Sequence, residues 1–212
     1  MIAPDIDFRN KFPNPHQQGL RNSCLAFSTT NAHEHTAGTA DPFCVEYLFY
    51  NASQKSGFAP DGCTMSAMQA ALATEGQPLE TYWPYLAAQP SPSAWTAPPG
   101  LGQVWKSNSK LIAPTLASVS NHLLGGNPVI LGLIVTNSFR DCGSDGILPS
   151  YNPDQVRGGH AVLAVGLGND GAGHPHLLIR NSWGSNWGWD GHAWLGESYV
   201  GPYLHEAMIL VK

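Results

Sequence analysis

The chain is poor in charge, and the charge it has is spread thinly. Charged residues make up 12% of 212 positions, with 10 Lys and Arg against 15 Asp and Glu. No dense basic run is present, and a net charge of −5 gives no electrostatic footprint for nucleic acid. Long apolar runs are also lacking. The longest, Val129 to Val135, is far too short to span a bilayer, so no membrane partner is expected. Met1-Ile2-Ala3-Pro4-Asp5 has no basic segment leading into an apolar stretch, and no secretory signal is read there. Cys24, Cys44, Cys63 and Cys142 are widely spaced, with no CxxC and no Cys/His ligand pattern, so neither a metal nor a cofactor is expected. That usage suits a reducing compartment, the cytosol of the producing cell or of a target cell.

What the chain does have is a hydrophobic content of 42%, enough for a folded globule and against disorder. Its length fits one domain, residues 1–212, with room for two lobes. Residues 1–17 carry Pro4, Pro13 and Pro15 and read as an extended lead-in. Apolar spacing predicts helices over Cys24 to about Ala37, Val45 to Ser53, Thr64 to Thr74 and Pro114 to Leu124. Residues 84–109, rich in Pro, Ser and Gly, read as an irregular crossing between lobes. Short apolar or β-branched runs then follow at Val129–Val135, His160–Gly166, His176–Asn181 and Ala193–Leu195, the pattern of strands. Helices first and strands second indicate an α+β protein, with a helical lobe at about 18–110 facing a β lobe at about 111–212.

One segment stands out for chemistry. Gln18 lies six residues before Cys24, and Cys24 falls where the first helix begins. A thiol there meets unpaired backbone N–H groups and the positive end of the helix dipole, both of which favour thiolate. Gln18 would place an amide donor near a reacting carbonyl. A cysteine nucleophile needs a base, and histidine titrates in the right range. Of nine histidines, His33 and His35 sit two apart on a helix, point to different faces and are expected at the surface. His16, His122 and His205 have no supporting context, and His174 and His176 flank Pro175 in what reads as a solvent-facing turn. His160 follows Gly158-Gly159 and opens a buried strand, so it can project into a cleft. Alone, it is better read as a hydrogen-bonded histidine at a strand end. Asn181-Ser182-Trp183-Gly184 follows, and Asn181 could accept the imidazole N–H while Trp183 covers the bond. Alone, that stretch is a turn-rich, aromatic-packed loop.

Taken together and in order, these elements resemble the papain-like cysteine peptidases. The match runs through Gln18-Gly19, Ser23-Cys24, Ala26-Phe27, Gly159-His160-Ala161-Val162, Arg180-Asn181-Ser182-Trp183-Gly184 and Trp187-Gly188. The resemblance implies a two-lobe fold, with a helical N-terminal lobe, an antiparallel β-barrel-like C-terminal lobe and the active-site cleft between them. It implies Cys24 as nucleophile, His160 as base and acid, Asn181 as orienter, and Gln18 with the Cys24 N–H as the oxyanion hole. It assigns substrate binding to Gly159, Trp183, Asp61 and Gly62. Glu46–Tyr50, Trp83-Pro84-Tyr85, Asp145–Pro149 and Gly158–Gly166 look closer to the bacterial branch of that family.

The departures are informative. Leu25 stands where a tryptophan commonly follows the nucleophile, and Arg21 where a cysteine commonly ties that loop by a disulfide. Asp61-Gly62-Cys63-Thr64-Met65 replaces the usual Gly-Cys-Asn-Gly-Gly wall. Small residues before His160 would suit slim side chains near the cut site. The resemblance thus implies a monomeric cysteine endopeptidase acting on protein or peptide. A papain-fold acyl transferase, a glutamine deamidase and an inactive peptide-binding module are the competing readings. With 17 residues before Gln18 and no inhibitory propeptide among them, restraint is expected from a narrow substrate, a separate inhibitor, or excision from a longer chain. A toxin-type effector held by an immunity protein would combine the last two.

Overall fold

The computed structural model describes residues 2–148 and 155–211, so Pro149, at the end of the Asp145–Pro149 segment, lies outside the described residues. Three helices dominate the first half: α1 (Cys24–Ala37), α2 (Val45–Ser56) and α3 (Met65–Thr74). Their ends follow local chemistry. Gly38 and Gly57 stop α1 and α2 in left-handed backbone, and the Thr64 hydroxyl accepts from the Ala67 N–H to start α3. α2 therefore runs three residues past the expected Ser53. The helix expected from Pro114 begins later, as α4 (Leu116–Leu124), because Thr115 caps it through the Ser118 N–H.

The second half builds an antiparallel sheet from β2 (Asn108–Ile112), β3 (Val129–Thr136), β4 (Val156–Asn169), β5 (Pro175–Arg180), β6 (His192–Gly196) and β7 (Leu204–Val211). Their order is β2-β7-β3-β4-β5-β6, and β1 (Ala3–Asp7) pairs with the far end of β4. The lead-in thus joins the sheet through β4, and after β1 it turns through a single 3-10 turn at Arg9–Lys11. The sheet is open, with β2 and β6 at its two ends. Two short helices, α5 (Asn137–Arg140) and α6 (Glu197–Tyr203), lie within this half.

Both faces of the sheet are covered, which explains why β4 reads as a continuous apolar run. Ala161, Leu163 and Val165 pack with α1, α2 and α3, while Val162 and Ala164 pack with α4, Phe139 and α6. The pleat alternates side chains between the two layers. Helix α1 is closed in on nearly every side, and burial is unbroken from Leu25 to His33. That overturns the expected surface position of His33. It is 2% exposed, its Nδ1 lies 2.9 Å from Gln77 Oε1, and its ring packs on Phe43. Burial lowers its proton affinity. His35 is half-buried and rests on Phe8 and Phe12.

Candidate active site

A cleft of about 860 Å³ opens between the helical layer and the sheet, lined by Gln18, Cys24, Asp61, Gly62, Gly159, His160 and Trp183 among others. Asn181 sits behind it, buried. The residues singled out from the sequence thus gather in and directly behind one cleft.

Cys24 is the first residue of α1. Its N-cap, Ser23, makes no capping bond because its hydroxyl is 2.7 Å from the Tyr85 hydroxyl instead. The first N–H groups of the helix are therefore left for other acceptors. Burial would push the Cys24 thiol up. His160, by charge and hydrogen bond, and the N–H groups of Ala161 and Leu25 outweigh it, and the net shift is downward. The other thiols behave oppositely. All four cysteines are free, and burial pushes Cys44 and Cys63 up to about 12 and Cys142 up to about 11.

His160 lies on β4 opposite Leu133 of β3, so sheet register fixes its backbone. Its Nε2 donates to Asn181 Oδ1 at 2.7 Å, which leaves Nδ1 for the Cys24 thiol. The same Oδ1 accepts from the Ser182 N–H at 2.8 Å, holding the amide in one orientation. Trp183 stacks over His160 with ring centroids 4.5 Å apart, and the fully buried Phe139 meets both rings edge-on. Water is thereby kept from the His160–Asn181 bond, which is stronger for it.

Gln18 is buried, and its side chain is pinned at both ends. Nε2 donates to the Arg21 carbonyl at 2.7 Å, and Oε1 accepts from the Ser182 hydroxyl at 2.6 Å. An amide nitrogen has two hydrogens, so one remains for the cleft. Its backbone is tied as well, the Gln18 N–H donating to Ser182 O, and the neighbouring Gln17 side chain donates from Nε2 to Trp183 O. The peptide that carries Asn181 thus also holds Gln18.

Gly159 is exposed on the cleft, and a Cβ there would meet nothing within 4 Å, so the space beside His160 is open. Asp61 is exposed on the opposite wall, where its carbonyl accepts from Asn22 Nδ2, and Gly62 next to it is buried with φ +125°. Residues not foreseen from sequence are Ser182 as a clamp on Gln18, Tyr85 as its backbone anchor, and Phe139 under the rings. Ser182 stood inside a recognised motif, but nothing in that motif told of a bond across 164 positions. Among the described residues no group of three or more His, Cys, Asp or Glu could hold a metal ion, and no helix is long and apolar enough to cross a membrane.

Residues 2–203 match the model of the papain family cysteine proteases. The chain is 31% identical over 214 residues to pro-cathepsin H from Bos taurus, covering 89% of this chain and 58% of that protein. It is 28% identical to the cathepsin B-like CP3 of Giardia intestinalis, covering 90% of this chain and 68% of the relative. The chain therefore spans little more than half the length of the first of these relatives. Among solved structures, xylellain, a cysteine protease from Xylella fastidiosa, superposes with a TM-score of 0.80 at 25% identity, covering all of this chain and 88% of that one.

Proposed function

The chain belongs to the papain family of cysteine proteases, and from that premise we propose that it is an endopeptidase with Cys24 as nucleophile. The observation that carries the reading is the linkage of Cys24 to His160 and of His160 Nε2 to Asn181 at 2.7 Å. Cys24 Sγ attacks the scissile carbonyl carbon. The oxygen gains negative charge and is met by the free hydrogen of Gln18 Nε2 and the Cys24 N–H. His160 passes its Nδ1 proton to the leaving amine, and the C–N bond breaks to give a thioester. A water then attacks the thioester carbon and gives a proton to His160, and the C–S bond breaks to release the acid and return the Cys24 thiolate.

Asn181 holds the tautomer throughout, since its Oδ1 can only accept. Trp183 and Phe139 keep the pair dry. Asp61, Gly62 and Gly159 border the bound chain, and the open space at Gly159 suits slim residues beside the cut. Restraint by a separate inhibitor, including the immunity protein of a toxin-type effector, fits the rim of the same cleft. Leu20 is 100% and Phe58 56% exposed there, offering apolar contacts to whatever covers it.

The test is incubation with a whole proteome beside a Cys24→Ala control. New peptide N-termini that require Cys24 are expected. Modified glutamines without new N-termini would point to deamidation or acyl transfer, and no Cys24-dependent product to a binding module.

A further inference from the structure

Arg21, three residues before the nucleophile, is 4% exposed and shares its burial with an equally enclosed Glu46 on α2. The pair is bidentate, with Nη1 2.6 Å from Oε2 and Nη2 2.9 Å from Oε1. The remaining polar groups are satisfied. Glu46 Oε1 also accepts from Trp95 Nε1 at 2.6 Å and Oε2 from the Leu86 N–H at 3.1 Å. Arg21 Nη1 also donates to Leu86 O at 2.7 Å, and Nε to Gln89 Oε1 at 2.8 Å. The guanidinium lies 5.0 to 5.2 Å from the rings of Phe49, Tyr85 and Trp95.

A buried ion pair is weak ground for stability, since well-packed apolar side chains often do as well. What apolar packing does not supply is direction. Arg21 has a second duty through its backbone, because its carbonyl receives Gln18 Nε2. The direction of that carbonyl decides where the second Gln18 hydrogen points. On the other side, the Tyr85 hydroxyl donates to Gln18 O and contacts Ser23. The irregular segment that supplies Tyr85, Leu86, Gln89 and Trp95 therefore converges on the loop between Gln18 and Cys24.

We propose that Arg21 and Glu46 are positioning residues for the oxyanion hole, acting on Gln18 through the Arg21 carbonyl. The proposal rests on Gln18 being an oxyanion donor. Arg21 borders the cleft, but its side chain and that of Glu46 are both buried, so neither side chain is presented to substrate. Their effect is confined to steps in which a carbonyl oxygen becomes negative, because a misdirected donor loses transition-state stabilisation and little ground-state binding.

The experiment measures Arg21→Lys and the double variant Arg21→Met/Glu46→Leu on a peptide amide. Alongside it, iodoacetamide alkylation of Cys24, which forms no oxyanion, and thermal unfolding are followed. Lysine keeps the charge but loses the bidentate fork; the double variant removes both charges. We expect kcat to fall by about 10- to 100-fold in the double variant, below the range for outright loss of an oxyanion donor. A smaller fall is expected for Arg21→Lys. KM and the alkylation rate should stay near wild type. In a Gln18→Ala background neither change should lower kcat further, since coupled residues are non-additive.

Folded variants with wild-type kcat would overturn the proposal. So would parallel losses in kcat and alkylation, or losses that add to that of Gln18→Ala. If Gln18→Ala alone leaves kcat intact, the oxyanion reading itself is at fault, a separate failure.

Discussion

On the sheet side of the cleft, His160 is set by strand register and roofed by aromatic rings, and Asn181 follows directly on the end of β5 with its N–H on Gly191 O; on the helical side, Cys24 and Gln18 are set by a buried polar network. The first wall relies on the pairing of β4 with β3 and on Trp183 and Phe139. The second relies on Arg21, Glu46, Tyr85 and Ser23, whose bonds are directional and individually breakable. A sheet offers a repeating backbone lattice, so a side chain inherits its place. A loop before a helix has no lattice, and each peptide must be anchored by name. Ser182 joins the two walls by clamping Gln18 from the sheet side.

The comparison can be broken most severely at its reactive groups. His160→Ala removes the acid–base partner and should lower kcat by roughly 100- to 10,000-fold, with peptide-amide turnover as the readout. Gln18→Ala removes one oxyanion donor and should lower kcat by about 100- to 1,000-fold, leaving Cys24 alkylation near normal. The sheet wall should fail differently. Phe139→Ala empties a fully buried ring site and should destabilise the fold by about 3–5 kcal/mol, read by urea unfolding, with a smaller loss of turnover in the still-folded protein as water reaches the His160–Asn181 bond. The smallest effect is expected at Cys142, which is away from the cleft lining and whose thiol is pushed up. Cys142→Ser should leave turnover unchanged, and mass spectrometry at about pH 6 should still find one alkylated thiol per chain, since ordinary thiols near 8.5 stay protonated there.

Much of this is legible in the sequence itself. The start of α1 at Cys24 and its stop at Gly38 follow from apolar spacing and a C-terminal glycine. The order Gln18, Cys24, His160, Asn181 carried the resemblance to a family. Other features were hidden for stateable reasons. His33 was expected at the surface because helical periodicity describes one buried stripe, whereas α1 is enclosed by sheet, helix and the Gln77 loop together. Strand β1 is short and contains Pro4 and two aspartates, and a single isoleucine between Asp5 and Asp7 is too little alternation to mark it, so its pairing with β4 reveals it. Arg21 was visible merely as a missing cysteine. Its partners Glu46, Leu86, Gln89 and Trp95 lie 25 to 74 positions away, three of them in a segment that reads as irregular. Long-range polar pairing leaves no periodic trace in a sequence.

The central claim, that His160 on one wall holds Cys24 on the other as a reactive thiolate, is tested most directly by the pH dependence of Cys24 alkylation. Cys24 lies below the ordinary thiol range because His160 and two N–H groups outweigh burial. Thiolate should thus persist below the ordinary thiol value, and the rate should fall only as pH drops through the lowered value. In His160→Ala, burial acts without its main opponent, and the profile should move to or above the ordinary range near about 8.5. Superimposable wild-type and His160→Ala profiles, both half-maximal above about pH 8, would contradict the account.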